Sequence, residues 1–252
     1  MKFDDLDARL RVYETAHDHC ALPGLYLVAR LDGRGFTRLT KEVHPFEAPF
    51  DARMRDYMAA TTRHLLDCGF RVVYGYIQSD EISLLLYPTE DSFGRKLRKY
   101  LSVLAGEASA RFSLLLGDVG VFDCRLSQLP TRELVVDYFR WRQEDAGRNA
   151  LNAHCYWLLR KQGRSVSEAT AQVKGQPTAA KHDLLFANGI NYNDLPAWQK
   201  RGVGVYWEDY RKAGLNPHTQ QPVETTRRRL VENQELPFGE AYSQFVDALL
   251  PQ

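Results

Sequence analysis

With 252 residues, 44% of them hydrophobic, the chain can bury a sizeable core as one domain with elaborations, and no stretch has a disordered or low-complexity composition. A net charge of +1 means that any nucleic-acid partner must meet a local basic patch rather than the whole surface. No run is long and apolar enough to span a bilayer, and the start Met1-Lys2-Phe3-Asp4-Asp5-Leu6-Asp7 is acidic rather than signal-like, so a cytoplasmic location without membrane attachment is expected.

In chain order, residues 3–20 predict a short helix with Leu6, Leu10 and Tyr13 on one side. Its end, His17-Asp18-His19-Cys20, has no accepted zinc spacing, and histidine near a helix C-terminus is favoured by the dipole anyway. Cys20, Cys68, Cys124 and Cys155 make no Cys-x-x-Cys pair, which suits reduced, mostly buried thiols. Leu25 to Leu31 is an apolar run suited to a buried strand, and it stops abruptly at Asp32-Gly33-Arg34-Gly35. After a loop over 37–50, Met54, Tyr57, Met58, Thr61, Leu65 and Leu66 recur at helical spacing within 51–68, opened by Pro49-Phe50-Asp51 and closed by Gly69.

Two β-rich runs follow, Phe70 to Ile77 and Ile82 to Tyr87, separated only by Gln78-Ser79-Asp80-Glu81, which predicts a hairpin with carboxylates at its tip. Leu97, Tyr100, Leu101, Leu104, Ala108, Phe112 and Leu115 then outline a long helix, and Val119 to Leu126 a fourth strand carrying Asp123 and Arg125. The order βαββαβ over 25–128 predicts an α+β fold with a ferredoxin-like core of the kind found in polymerase palms. A right-handed crossover lays the second strand parallel to the first, so Asp32 and the hairpin tip share one end of the sheet.

Beyond residue 130 a helical region starts at Pro130-Thr131 and passes Trp141, and a further helix runs from about Asn149 to Lys161. Ser165-Val166-Ser167-Glu168 fits a capping box, and 178–187 is helical, closed by Asn188-Gly189. Gly202 to Arg211 and Val223 to Val231 predict a β-hairpin that turns around Gly214-Leu215-Asn216-Pro217 and projects from the helical part. The expected division is a palm-like catalytic core over 1–130 and a helical and hairpin region over 131–252 packed on it as one unit. The basic clusters Arg95 to Lys99, Arg160-Lys161 with Arg164, and Arg227-Arg228-Arg229 each read individually as solvated faces.

Two carboxylates pressed together repel, and a shared proton or a divalent cation resolves the conflict. Beside a glycine-rich turn that lets backbone amides approach phosphates, magnesium is the favoured cation and two-metal phosphoryl transfer the favoured chemistry. No Gly-x-x-x-x-Gly-Lys-Ser/Thr loop is present, which counts against a P-loop NTPase. On spacing alone, Asp32 as a turn residue and Asp80-Glu81 as an exposed hairpin tip account for the pattern equally well.

Arg30-Leu31-Asp32-Gly33-Arg34-Gly35-Phe36, Ser79-Asp80-Glu81-Ile82-Ser83, Trp141-Arg142-Gln143 and Ile190-Asn191-Tyr192-Asn193 together resemble the ordered motifs of the tRNA-His guanylyltransferase family, in particular its Thg1-like 3′-to-5′ polymerase branch. The resemblance implies a polymerase-type palm, commonly in a homotetramer, that adds nucleotides to the tRNA 5′ end after ATP or GTP activates it. It further implies that Asp32 and Asp80, with the carbonyl of Gly33, hold two Mg2+ ions, with Glu81 essential beside them. Ser79 and the turn Gly33, Arg34, Gly35 and Phe36 would bind the incoming NTP, with Asp51 near its base. Lys96, Lys99 and Arg125 would hold a second triphosphate, and Lys181 and Asn191 match functional positions in the C-terminal half. The tRNA would be engaged through its 5′ end and acceptor stem.

The chain departs from the eukaryotic pattern where His-Ile-Asn-Asn-Leu-Tyr-Asn is replaced by Gly147-Arg148-Asn149-Ala150-Leu151-Asn152-Ala153, Thr37 replaces a histidine, and Ala48 a lysine. These departures favour template-dependent repair of 5′-truncated tRNA over dedicated addition of G at position −1 of tRNA-His. A nucleotidyl cyclase-like enzyme acting on NTP alone and a non-catalytic RNA-binding protein are the alternatives from other classes.

Overall fold

The computed structural model describes residues 2–215 and 221–251. Helix α1 (Phe3–Thr15) comes first and buries none of its side chains; Leu6, Leu10 and Tyr13, expected to pack, are exposed. Strand β1 (Tyr26–Gly33) is apolar on both faces: Leu27, Ala29 and Leu31 enter one hydrophobic core and Val28 the other. The turn after it leads into one turn of helix, α2 (Phe36–Arg38), and a π-helical turn, Leu39–Val43. Asp51 then caps α3 (Ala52–Leu65), its carboxylate accepting the Arg53 amide at 2.8 Å.

Strands β2 (Val72–Gln78) and β3 (Glu81–Leu86) form the expected hairpin around the two-residue turn Ser79-Asp80. Helix α4 (Leu97–Leu116) buries Tyr100, Leu104, Ala108 and Phe112, the stripe its periodicity predicts. Strand β4 (Phe122–Leu129) begins three residues later than expected, because its register is set by pairing Phe122 with Gly33 and Leu129 with Tyr26.

The region expected to hold two helices between 131 and 161 is one, α5 (Arg132–Lys161), capped by the Thr131 hydroxyl. Nothing between Trp141 and Asn149 breaks a helix except Gly147, whose cost of about 1 kcal/mol a long helix absorbs. The buried stripe of this helix changes partner along its length. Val135 and Phe139 pack on the sheet, whereas Leu151, Cys155 and Leu159 pack on α6 (Val166–Val173) and α7 (Thr178–Phe186). The capping box of α6 is present, Ser165 and Glu168 bonding each other's backbone amides.

After a short α8 (Ala197–Arg201), strands β5 (Val203–Leu215) and β6 (Pro222–Asn233) form the second hairpin. It does not project from the helical part, as expected. Its base joins the sheet, β5 pairing antiparallel to β2 from Tyr74↔Tyr206 to Ile77↔Val203. The expected turn around Gly214 to Pro217 lies in part outside the described residues. An unanticipated helix, α9 (Glu240–Leu249), ends the chain and buries Tyr242 and Val246, four residues apart, against the sheet.

The result is one antiparallel sheet in the order β4-β1-β3-β2-β5-β6, with α3 and α4 on one face and α5 and α9 on the other. Its first four strands have the expected ferredoxin-like order, β1 and β2 running parallel with β3 between them. The cysteines are all unbridged, with Cys155 buried but Cys20 exposed against expectation.

Candidate active site

The carboxylates come together at one end of the sheet because register puts them there. Asp32, next to last in β1, lies opposite Glu81 of β3 on one side and Asp123 of β4 on the other. Asp80 is held beside them by the turn: the Gly33 amide donates to the Asp80 carbonyl at 3.1 Å. Ser79 takes φ +54° to make that turn, a left-handed conformation that glycine or asparagine would adopt at less cost. Both aspartates line a cleft of about 420 Å³ bounded by residues 36–55, the hairpin tip and α5.

The electrostatics of the two acids at the tip differ. Burial pushes the Asp80 carboxyl up and the negative charge of Asp32 pushes it further, against hydrogen bonds from its own amide and from Ser79, with no cation acting on it among the described residues. Glu81 also sits above the usual carboxylate range, burial outweighing the attraction of Arg142 and Arg30. It is spoken for, however: Arg142 donates to it through Nε at 2.8 Å and Nη2 at 3.0 Å, and Arg30 lies 3.6 Å away. Arg142, only 5% exposed, also bonds Asp145 at 3.1 Å. Asp145 in turn accepts from Arg148 and Asn149 at 3.1 Å and from Gln78 at 3.2 Å, tying α5 to the hairpin tip. The Arg142–Glu81 pair thereby anchors β3 to α5.

Whether this donor set fits a metal follows from its chemistry. Among the described residues no three His, Cys, Asp or Glu side chains converge on one metal position, so no all-protein cage exists. Two hard oxygen donors without a counter-charge at Asp80, in a cleft open to a substrate, fit Mg2+, which keeps several waters and binds through one or two carboxylates plus substrate phosphates. Arg125 stands 3.7 Å from Asp32 and 3.5 Å from Asp123.

Of the other residues singled out in the sequence, Phe36, Asp51 and Ser79 line the cleft, with Gly33, Arg34 and Gly35 forming the turn between Asp32 and Phe36. Gly33 is required there: a Cβ would fall 2.5 Å from the Phe36 ring. Asp51 is occupied in capping α3, and its hydrogen bond from the Arg53 side chain holds its carboxyl down to about 2. Lys96 and Lys99 are not brought to the cleft. They open α4 beside the start of β1, where the Ala21 amide bonds the Arg95 carbonyl, whereas Asp32 ends that strand. Asp32 lies six steps along β1 from Tyr26, which separates the two places by about 20 Å. Lys96 pairs with Asp18 at 2.6 Å, joined there by Arg98, and Lys99 lies over the Phe93 ring. Lys181 and Asn191 lie on and after α7 outside the cleft wall, the Asn191 amide donating to Asp194 at 2.9 Å.

In the sequence Arg142 stood only as part of the Trp141-Arg142-Gln143 motif, with no role assigned, and Asp145 was not singled out. A signal existed: Val135, Phe139, Arg142 and Ala146 recur at intervals of four, three and four and are all buried, so an arginine interrupts the apolar stripe where only a paired charge can sit.

A family model described as tRNAHis guanylyltransferase matches residues 7–130, and a second, described as Thg1 C terminal domain, matches residues 133–239. The chain belongs to the tRNAHis guanylyltransferase family. Guanylyltransferases of this family are nucleotidyltransferases. The Debaryomyces hansenii tRNA(His) guanylyltransferase is 31% identical over 234 residues, covering 86% of this chain and 88% of that one. A bacterial tRNA(HIS) guanylyltransferase (Thg1)-like protein in complex with ATP superposes with a TM-score of 0.76 at 27% identity, over 98% of this chain and all of that one. The corresponding complex with GTP gives 0.75, also at 27% identity and covering 98% of this chain and 99% of that one. The chain spans 39% of the length of Arabidopsis thaliana tRNA(His) guanylyltransferase 1, with 30% identity over 226 residues.

Proposed function

We propose that this chain adds nucleotides to tRNA 5′ ends in the 3′-to-5′ direction, as a template-dependent repair enzyme for 5′-truncated tRNA that uses ATP or GTP to activate the end. The observation that carries the reading is the pairing of Asp32 with a half-buried Asp80 in one cleft, Asp80 having no ion-pair partner among the described residues. Family membership and the ATP- and GTP-bound likenesses supply the substrate class. Replacement of the eukaryotic motif by Gly147 to Ala153 favours repair over addition of G at position −1 of tRNA-His.

In this reading Asp32 and Asp80, with the Gly33 carbonyl, hold two Mg2+ ions. When bound by these residues, two Mg2+ ions would supply activation of the attacking hydroxyl and charge neutralisation at the leaving group. The protein's own contribution is positional. The Arg142–Glu81 pair locks β3 to α5, and the Gly33 amide holds the Asp80 carbonyl, so both carboxylates face the cleft before substrate arrives. Within the turn from Gly33 to Phe36 the Gly33 and Arg34 amides bond the Asp80 and Val121 carbonyls, so the amides that could meet phosphates are those of Gly35 and Phe36, and Arg125 places a cation beside Asp32. Lys96 and Lys99 are left out of this site. A homotetramer and a cytoplasmic location form part of the same reading.

The test uses the full chain with Mg2+, all four NTPs and 5′-monophosphorylated tRNA lacking its first nucleotide. Extension complementary to the opposite acceptor strand is expected from wild type and none from Asp32→Ala or Asp80→Ala, with unchanged circular dichroism. Equal activity in either variant rejects the ligand assignment, and a cyclic nucleotide product without RNA rejects the polymerase reading in favour of a cyclase.

A further inference from the structure

One wall of the cleft carries aromatic and cationic side chains in alternation, away from the carboxylates. Lys41 lies over the Trp157 ring at 5.2 Å and Arg55 over the Trp198 ring at 4.9 Å, with Phe50 edge-on to Trp198 at 5.9 Å, and all five line the same cavity. The two cations are not equivalent. Arg55 is neutralised by Asp56 at 2.7 Å, whereas Lys41, exposed on the π-helical turn Leu39–Val43, has no ion-pair partner among the described residues. Single-turn π segments recur at functional sites because they displace side chains from the helical path.

Trp157 and Arg142 share helix α5, fifteen residues apart, which puts Trp157 about 22 Å from the carboxylate anchor at 1.5 Å per residue. That distance leaves room beyond a nucleotide whose phosphates lie at Asp32 and Asp80. A half-buried indole with a free ammonium over its face is the pairing that binds single-stranded nucleic acid: the ring stacks on a base and the cation meets the adjoining phosphate.

We propose that Lys41 and Trp157 form a base-and-phosphate subsite for an unpaired nucleotide of the RNA substrate, distinct from the position of the incoming NTP. The proposal rests on the polymerase reading and names which part of its substrate reaches the far end of the cleft. The ligand chemistry, a nucleobase with a neighbouring phosphate, is shared by RNA and by a free nucleotide, and the experiment separates these sources.

Binding of 5′-monophosphorylated tRNA lacking its first nucleotide is measured by fluorescence anisotropy at several salt concentrations. Binding of ATP and GTP is measured alongside, for wild type, Lys41→Gln, Trp157→Ala and Trp157→Phe. Trp157→Ala is expected to weaken tRNA binding about tenfold and Trp157→Phe by less, as stacking is lost or retained. Lys41→Gln, on an exposed turn and harmless to folding, is expected to weaken it about threefold and to lower the salt slope by roughly one phosphate contact. ATP and GTP binding stays within about twofold of wild type, below the loss expected when a stacking or phosphate contact is removed. Unchanged tRNA binding in Lys41→Gln and Trp157→Ala overturns the proposal, and so does a parallel loss of ATP or GTP binding, which places the pair in the nucleotide position. Wild type that extends truncated tRNA while the variants bind it normally sinks the subsite alone. Wild type that fails to extend, with tRNA binding lost in the variants as expected, sinks the polymerase reading and leaves the subsite standing.

Discussion

Replacing Arg142 by methionine keeps the length of the side chain and removes the guanidinium that bonds Glu81 at 2.8 and 3.0 Å. Both partners are nearly out of solvent, with side-chain exposures of 6% and 13%, so the interaction is that of a buried pair and not a screened surface one. Removing one member of such a pair costs about 3–5 kcal/mol, because the other is left buried and uncompensated. Arg30, 3.6 Å from Glu81 with a buried Nε that lacks a hydrogen-bond partner, can take up part of the load, which puts the expected cost near 3 kcal/mol. For a chain of this size that is a fall in Tm of about 6–12 °C.

The deficit must also depend on pH. Burial already raises the Glu81 carboxyl, and loss of Arg142 raises it further. An acid whose pKa is higher folded than unfolded opposes folding in full above the folded pKa, and the penalty fades as pH falls through that value towards the unfolded one. The Arg142→Met deficit is therefore expected to shrink as pH falls from neutral towards the ordinary glutamate range, while adding Glu81→Gln to Arg142→Met restores most of the stability at neutral pH. Thermal and urea denaturation followed by circular dichroism measure both. A deficit below about 1 kcal/mol, or one constant across that pH range, refutes the reasoning.

Asp80→Asn removes a charge that burial and Asp32 both oppose, so in metal-free buffer it is expected to stabilise the protein at neutral pH. Wild type, whose Asp80 is raised, should gain relative stability as pH falls through that raised pKa, a gain the variant lacks. Added Mg2+ should raise the Tm of wild type and not of Asp80→Asn, since only a native site binds the ion; equal shifts in differential scanning calorimetry remove Asp80 as a ligand. Gly33→Ala would set a Cβ 2.5 Å from the Phe36 ring, which is boxed in by Phe112 and Phe122 at 4.9 and 5.0 Å between centroids. Overpacking there should cost about 1–3 kcal/mol in urea denaturation, and a neutral outcome would show that the turn yields easily.

The βαββαβ order, the Ser79-Asp80 turn and the meeting of Asp32 with the hairpin tip were all legible in the chain, because strands and the α4 stripe write local periodicities of two and 3.6 and turns have their own residues. The C-terminal half was less so. Helix α5 serves two cores in succession, so its apolar stripe has no single direction, and the β5–β6 hairpin could be seen as a hairpin but not as an extension of the sheet, since its pairing with β2 joins residues more than a hundred apart. The motif series assigned Lys96 and Lys99 to a second triphosphate, and linear order says nothing about which end of the sheet their helix starts from.

Amino-acid order alone determined which segments became strands and helices of the palm and which acids stood at its turns, because those choices depend on neighbours within a few residues. Only the folded chain decided that Glu81 is tied to Arg142, that Asp80 has no counter-charge among the described residues, and that Lys41 and Trp157 face the same cleft. Desolvation and charge pairing depend on what distant segments bring to a point, and no local pattern encodes that.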